Sequence, residues 1–182
     1  MMDGHSPSFK ALMSSDKQDW GTPHAFLEWL AEEFGWMPTL DAAASAHNAK
    51  AQRFFSIEED GLNQPWSGDV WLNPPFGRKE LTAWLCKCRE EIEHPLKITG
   101  EVLDSIWCLI PARTDTKWFH EIVVPTATRI YLLKGRFNYL FEGNLPGGSA
   151  PFPSMLVVWD KGMRHYPQIQ TLEVPTRARG FQ

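Results

Sequence analysis

Short apolar runs alternate with amphipathic segments along most of this chain, and this alternation constrains the fold more than any other feature. Runs of strand length occur at 38–41, 69–73, 105–110, 129–133 and 155–159. Segments with helical apolar spacing occur at 20–35, 79–93 and 114–124. Strands alternating with helices predict a layered α/β domain with a mostly parallel sheet. No helix separates the last two strands, so one C-terminal strand should be antiparallel.

Local signals refine this prediction. Thr22 suits the N-cap of the first helix, Pro23 its first turn and Gly35 its end. A short helix is expected around 46–52, and Pro125 should end the helix that Thr114 begins. The segment 134–153 is rich in glycine and proline and is expected to be a loop. The domain should span 20–162, between a flexible arm (1–19) and a C-terminal tail (163–182).

Length and composition exclude several classes of protein. The 182 residues suffice for one domain, and no apolar run is long enough to span a membrane. Three cysteines and six histidines lack metal-ligand spacing, so no metal is expected. With no signal peptide apparent, a reducing, cytoplasmic location is expected. The net charge of −4 argues against a non-specific coat on nucleic acid but permits contact at one pocket.

The sequence Asn73-Pro-Pro-Phe76 follows an apolar strand and carries distinctive chemistry. The Asn73 side chain offers a carbonyl acceptor, and the prolines, Pro74 and Pro75, hold the Pro74 carbonyl in place. Phe76 offers a flat apolar face. Two acceptors beside a ring suit a planar amino group, since drawing its hydrogens out of plane localises its lone pair for attack. A strand end followed by a simple Pro-Pro turn is the alternative interpretation.

Three strand ends carry residues that could form one site. Asp41, Asn73 and Pro111 each lie at the predicted carboxyl end of a strand. Ligands of open parallel sheets bind beyond these ends, so we expect the site there.

Several motifs occur in the order found in a known family. They are Trp20-Gly-Thr-Pro23, Leu40-Asp-Ala-Ala-Ala-Ser45, His47-Asn-Ala-Lys50, Phe54-Phe55, Glu58-Glu-Asp-Gly-Leu62, Val70-Trp-Leu-Asn-Pro-Pro-Phe76, Pro111-Ala-Arg-Thr-Asp-Thr-Lys-Trp-Phe119, Lys134-Gly-Arg136 and Ser154-Met-Leu-Val-Val158. Over roughly 19–161 the chain resembles the phage-type DNA N6-adenine methyltransferase (Dam) family. The ordered set is far more specific than Asn-Pro-Pro-Phe alone.

The resemblance implies a Rossmann-like methyltransferase fold that uses S-adenosylmethionine. It also implies transfer of a methyl group from this cofactor to adenine N6 in double-stranded DNA, in a phage or prophage setting within a bacterial host. It implies catalytic roles for Asn73, Pro74, Pro75 and Phe76. The cofactor residues it implies are Trp20, Thr22, Pro23, Asp41, Ala42 and Asp60. Arg113, Lys117, Lys134 and Arg136 are the implied DNA contacts, although each also fits a solvated surface charge. Target recognition would then fall to the segment 134–153.

The chain departs from the usual cofactor-binding pattern at one place. A glycine-rich loop is absent, and Ala42-Ala43-Ala44 stands where it would lie. The short interval between Asp41 and Asn73 also leaves little room for a second strand and its ribose-binding acid, for which Glu58 and Glu59 are candidates.

Two alternatives to a DNA-modifying enzyme remain open. The same tetrapeptide would serve methylation of RNA or of protein glutamine, because each offers a planar amine or amide. An inactive protein that binds only S-adenosylmethionine or DNA would also carry these motifs.

Overall fold

A computed structural model describes residues 20–94, 101–141, 145–162 and 166–181, and the predicted N-terminal arm lies outside these residues. In chain order the strands are β1 Leu40–Asp41, β2 Arg53–Phe54, β3 Gly68–Leu72, β4 Leu103–Pro111, β5 Arg129–Lys134, β6 Asn138–Phe141, β7 Leu145–Ser149, β8 Ser154–Asp160 and β9 Gln168–Glu173. The helices are α1 His24–Phe34, α2 Arg78–Glu93, a π-helical turn Phe119–Val123, the short α3 Val124–Thr126 and a 3₁₀ turn Arg177–Arg179.

One seven-stranded sheet organises the domain, with strand order β2-β1-β3-β4-β8-β5-β9. Every strand of this sheet except β8 runs in the same direction, and β8 lies antiparallel to both β4 and β5. The prediction of a mostly parallel sheet with one antiparallel C-terminal strand is therefore confirmed. Because β1, β3 and β4 are parallel neighbours, their carboxyl ends meet at one edge.

The first helix forms largely as its apolar spacing predicts. Phe26, Leu27, Trp29 and Leu30 are buried on one face of α1, and Gly35 ends the helix in the left-handed conformation, with φ of 64°. The predicted cap is wrong: Pro23 occupies the N-cap position, and no side chain caps the helix. Proline can take this place because its missing N–H would have had no partner in the first turn.

Three other local predictions are wrong. Residues 46–52 form turns, not a helix. Pro125 does not end the third helix, which passes through a π-helical turn into α3 and stops at Thr126. The segment 134–153 contains the strands β6 and β7, which pair antiparallel in a small separate sheet.

The C-terminal residues also differ from the expected tail. Strand β9 pairs in parallel with β5 along the sheet edge. Arg177 forms an ion pair with Glu32 of α1 at 2.9 Å, and the Asn138 amide donates to the Gly180 carbonyl at 2.9 Å. The segment is thus packed onto the domain and was missed because four of the six side chains of β9 are polar and neither face is continuously apolar.

The large aromatic content serves mainly as core. Trp66, Trp71, Trp107 and Trp159 are almost completely buried. Within the described residues, none of the helices combines the length and the apolar character needed to cross a bilayer.

Candidate active site

A cavity of about 710 Å³ lies where β1, β2 and β3 end, at the predicted edge of the sheet. The approach to α1, the three segments after these strands and Trp84 of α2 form its walls. Six of the predicted site residues line it: Trp20, Thr22, Asp41, Asp60, Asn73 and Pro75. Its volume falls within the range of small-molecule sites.

The remaining predicted cofactor and catalytic residues are buried, and each is adjacent in sequence to a residue that lines the cavity. Ala42 is fully buried, while its neighbours Ala43 and Ala44 line the cavity. Pro23, Pro74 and Phe76 are not among the lining residues.

Asn73 is oriented by a contact with the segment before α1. Its side-chain nitrogen donates a short hydrogen bond to the Trp20 carbonyl. A carbonyl can only accept, so this bond fixes which end of the amide is nitrogen. The Asn73 Oδ1 atom is buried and has no partner among the described residues. Asn73, which lines the cavity, therefore carries an oriented acceptor without a donor.

The ring of Phe76 belongs to an aromatic cluster beside the cavity. Trp20 stacks on Phe76 with ring centroids 6.4 Å apart and an interplanar angle of 22°. Tyr139 and Phe152 pack edge-on against Phe76. Only 6% of Phe76 is exposed, whereas Trp20, Phe141 and Phe152 are partly exposed. Trp20 is thus the member of this cluster that faces the cavity.

The loop after β1 is held by Asp41 rather than by glycines. The Asp41 carboxylate accepts hydrogen bonds from the backbone N–H of Ala43 at 3.3 Å and of Lys50 at 2.9 Å. Among the described non-glycine residues only Asp60 has positive φ, so Ala42, Ala43 and Ala44 need no glycine-like backbone. Burial raises the pKa of Asp41 to about 6, against the opposing effect of the two N–H donors.

The segment after β2 forms another part of the cavity wall. Despite the short interval, β2 does form, and Glu58 rather than Glu59 lines the cavity after it. A hydrogen bond from the Ser56 hydroxyl lowers the pKa of Glu58. Asp60 has φ of 54°, a conformation that aspartate tolerates better than most residues.

Several residues of the cavity wall escaped the sequence prediction, among them Lys50 and Gly61. Both fall within motifs that carried the family resemblance, but no local pattern gave either of them a role. The Lys50 ammonium lies 3.4 Å from Nε2 of His24, the first residue of α1. A Cβ on Gly61 would lie 2.1 Å from the Ala42 carbonyl oxygen, so the two loops touch through backbone atoms.

The predicted DNA contacts lie after β4 and β5. Arg113 is half-buried after β4, and Lys117 is exposed. Lys134 pairs with Glu173 at 2.9 Å, an exposed ion pair that contributes little to stability. Arg136 is exposed, and its carbonyl accepts from Arg179 at 3.2 Å. None of these four residues lines the cavity. In the described part of the chain, no cluster of His, Cys, Asp or Glu has an arrangement that could hold a metal.

The sheet order, its single antiparallel strand and the cavity at the strand ends define a Rossmann-like methyltransferase fold. A chain from a solved type I R-M system supports this fold, with a TM-score of 0.52 and 12% identity over 91% of this chain and 47% of that chain. A structure described as a modification subunit of a type I restriction enzyme from Vibrio vulnificus YJ016 has a TM-score of 0.46 and 13% identity, covering 90% of this chain and 49% of that one.

Residues 10–177 match the DNA N-6-adenine-methyltransferase (Dam) family, and the chain belongs to it. A DNA N-6-adenine-methyltransferase of Escherichia phage T1 is 35% identical over 104 residues, which are 56% of this chain and 39% of the phage protein. This chain therefore spans well under half of that relative's length.

Proposed function

We propose that this protein transfers a methyl group from S-adenosylmethionine to N6 of adenine in double-stranded DNA. The observation that carries the proposal is the buried, unpartnered Oδ1 of Asn73 on the wall of a cofactor-sized cavity. Membership of the Dam family supports this reaction.

The proposed chemistry begins with a target adenine that has left the double helix, because N6 is otherwise out of reach. Asn73 Oδ1 accepts one N6 hydrogen and the Pro74 carbonyl accepts the other. No donor among the described residues occupies that carbonyl. As the N6–carbon bond forms, the sulfur–methyl bond of the cofactor would break and leave S-adenosylhomocysteine. N6 would release one proton past these acceptors to water. Oriented acceptors of this kind lower the barrier because they need no rearrangement during the reaction.

Stacking of the target base on Phe76 remains part of the proposal. Trp20 covers one face of Phe76. When the base enters, the Trp20 ring must therefore either move away from Phe76 or stack on the base together with Phe76. The half-buried Trp20, which lines the cavity, would then form the boundary between base and cofactor.

The cavity residues fit the proposed cofactor. Two buried polar atoms on its wall, Asn73 Oδ1 and Thr22 Oγ1, lack partners among the described residues. When bound, S-adenosylmethionine supplies an electrophilic methyl group on a sulfonium. Thr22 and Pro23 would lie at its methionine part, and Asp41 and Ala42 along the loop beside it. Asp60 would accept from the adenine amino group, and Glu58, following β2, is the proposed ribose acid.

The DNA would lie along the edge of the sheet. We assign phosphate contacts to Arg113, Lys117, Lys134 and Arg136, since such contacts position a duplex without reading its sequence. The β6–β7 hairpin is the proposed reader of the target site. If the substrate is the DNA inside a bacterial host, the enzyme would act in the bacterial cytoplasm.

Labelled S-adenosylmethionine offered separately with duplex DNA, RNA and protein tests this proposal. We expect label in DNA alone, and in N6-methyladenine after digestion to nucleosides. Label in RNA or in protein glutamine would support the corresponding alternative enzyme. DNA binding without any transfer would support the inactive binding protein.

A further inference from the structure

The cavity wall contains a lysine, Lys50, whose ammonium group forms no close ion pair among the described residues, although the Asp41 charge opposes the lowering of its pKa by burial. The backbone N–H of Lys50 donates to Asp41, but its ammonium group extends to His24, where Nζ and Nε2 are 3.4 Å apart. Lys50 is half-buried and takes part in none of the ion pairs among the described residues. Withdrawing a cation from water with only a neutral ring as its hydrogen-bond partner costs free energy, which an anionic ligand would recover.

A second feature of the same cavity wall favours an anionic ligand. The Thr22 hydroxyl is buried, lines the cavity and has no hydrogen-bond partner among the described residues. It immediately precedes Pro23 and α1, an eleven-residue helix whose first N–H groups have no acceptor within the helix. Such a terminus attracts negative charge. A hydroxyl donor and an ammonium group thus meet at one helix terminus.

The same cavity wall also carries negative charge. Asp41 lines the same cavity, and its carboxylate is held by the N–H groups of Ala43 and Lys50. Burial and the Lys50 charge lower the pKa of His24, which favours a neutral ring able to accept from the ammonium. The wall therefore presents a cation beside α1 and an anion at the end of β1, the pattern that suits an amino acid zwitterion.

We propose that Lys50, with the Thr22 hydroxyl and the first turn of α1, binds the α-carboxylate of the cofactor's methionine part. This inference rests on the proposed function, because it assumes a cofactor that carries an amino acid group. Lys50 would then act in binding, and its ammonium would contact no reacting atom.

Ligands that differ only at the amino acid part test the assignment. S-adenosylhomocysteine carries the carboxylate, its decarboxylated analogue keeps the amino group alone, and 5′-methylthioadenosine lacks both. Equilibrium dissociation constants would be measured by calorimetry for the unaltered protein, Lys50→Met and Lys79→Met. Lys79 is an exposed residue at the start of α2 and serves as the matched control.

For Lys50→Met we expect affinity for S-adenosylhomocysteine to fall about tenfold to a hundredfold, the value of one charge-assisted hydrogen bond. Affinity for the other two ligands should be unchanged, which also shows that the cavity is intact. Lys79→Met should bind all three normally. Equal loss for all three ligands, or no loss for any, would overturn the assignment of Lys50 while leaving the proposed function standing. If the unaltered protein bound none of them, the proposed function would fail, and this inference with it.

Discussion

Gly61→Ala perturbs the contact that holds the Asp60 segment against the loop after β1. An added Cβ would lie 2.1 Å from the Ala42 carbonyl oxygen and 3.2 Å from both Phe55 Cβ and Trp84 Cη2. Side-chain carbons do not approach other atoms within 3.0 Å, so one loop must retreat by about 1 Å. Overpacking of this kind costs about 1–3 kcal/mol, from which the reduced entropy of the unfolded chain recovers about 0.4–1 kcal/mol.

We therefore expect Gly61→Ala to lower the free energy of unfolding by about 1–2 kcal/mol, measured by urea denaturation. Displacement of Asp60 should also weaken binding of S-adenosylhomocysteine about threefold to tenfold, the value of one hydrogen bond. Gly162→Ala is the control, because Gly162 has φ of 73° but no atom within 4 Å of an added Cβ. It should lose stability through backbone strain and retain its affinity. Stability within about 0.5 kcal/mol of the unaltered protein, together with normal affinity, would refute the importance of this contact.

Three further predictions concern ionisation, DNA and the aromatic cluster. Because burial raises the pKa of Asp41 from 3.8 to about 6, the free energy of unfolding should fall by up to about 3 kcal/mol as the pH rises from about 4 to about 6. Urea titrations of Asp41→Asn should lack that pH dependence, and an unchanged profile would contradict it. Arg113→Ala and Lys117→Ala should each reduce by about one the slope of log affinity for DNA against log salt; equal slopes would remove them from the interface. Phe76→Ala should weaken binding of a mismatched adenine site by ~1–3 kcal/mol in an anisotropy titration, and unchanged binding would argue against the stack.

The sheet could be predicted from sequence because its central strands are apolar and its helices have regular spacing. The predicted strand 69–73 and helix 79–93 differ by one residue from β3 and from the start of α2. The missed strands lack that signal. Four of the six side chains of β9 are glutamine, threonine or glutamate at an exposed edge, and β7 contains Pro146 and two glycines, which usually indicate a turn.

Some residues of the candidate site could likewise be predicted from sequence, and others could not. Asp41 and Asn73 could be placed from sequence because each follows a strand, and the ends of parallel strands share an edge. Lys50 could not, because it lies in an irregular turn whose path depends on its hydrogen bond to Asp41. The requirement for glycine at position 61 could not be predicted either. Its close contact is with Ala42, nineteen positions away, and that contact depends on how two loops pack. Sequence signals therefore located the site but not the packing that shapes it.

The single-turnover rate of methyl transfer to DNA for Asn73→Ala against Asn138→Ala tests the central claim most directly. Both asparagines donate to a backbone carbonyl and leave a buried Oδ1 without a partner among the described residues, but only Asn73 lines the cavity. With saturating S-adenosylmethionine, Asn73→Ala should slow transfer to N6 by about 10²–10³-fold, whereas Asn138→Ala should stay close to the unaltered rate. Transfer at full rate by Asn73→Ala would contradict the claim that this oxygen activates the target amino group.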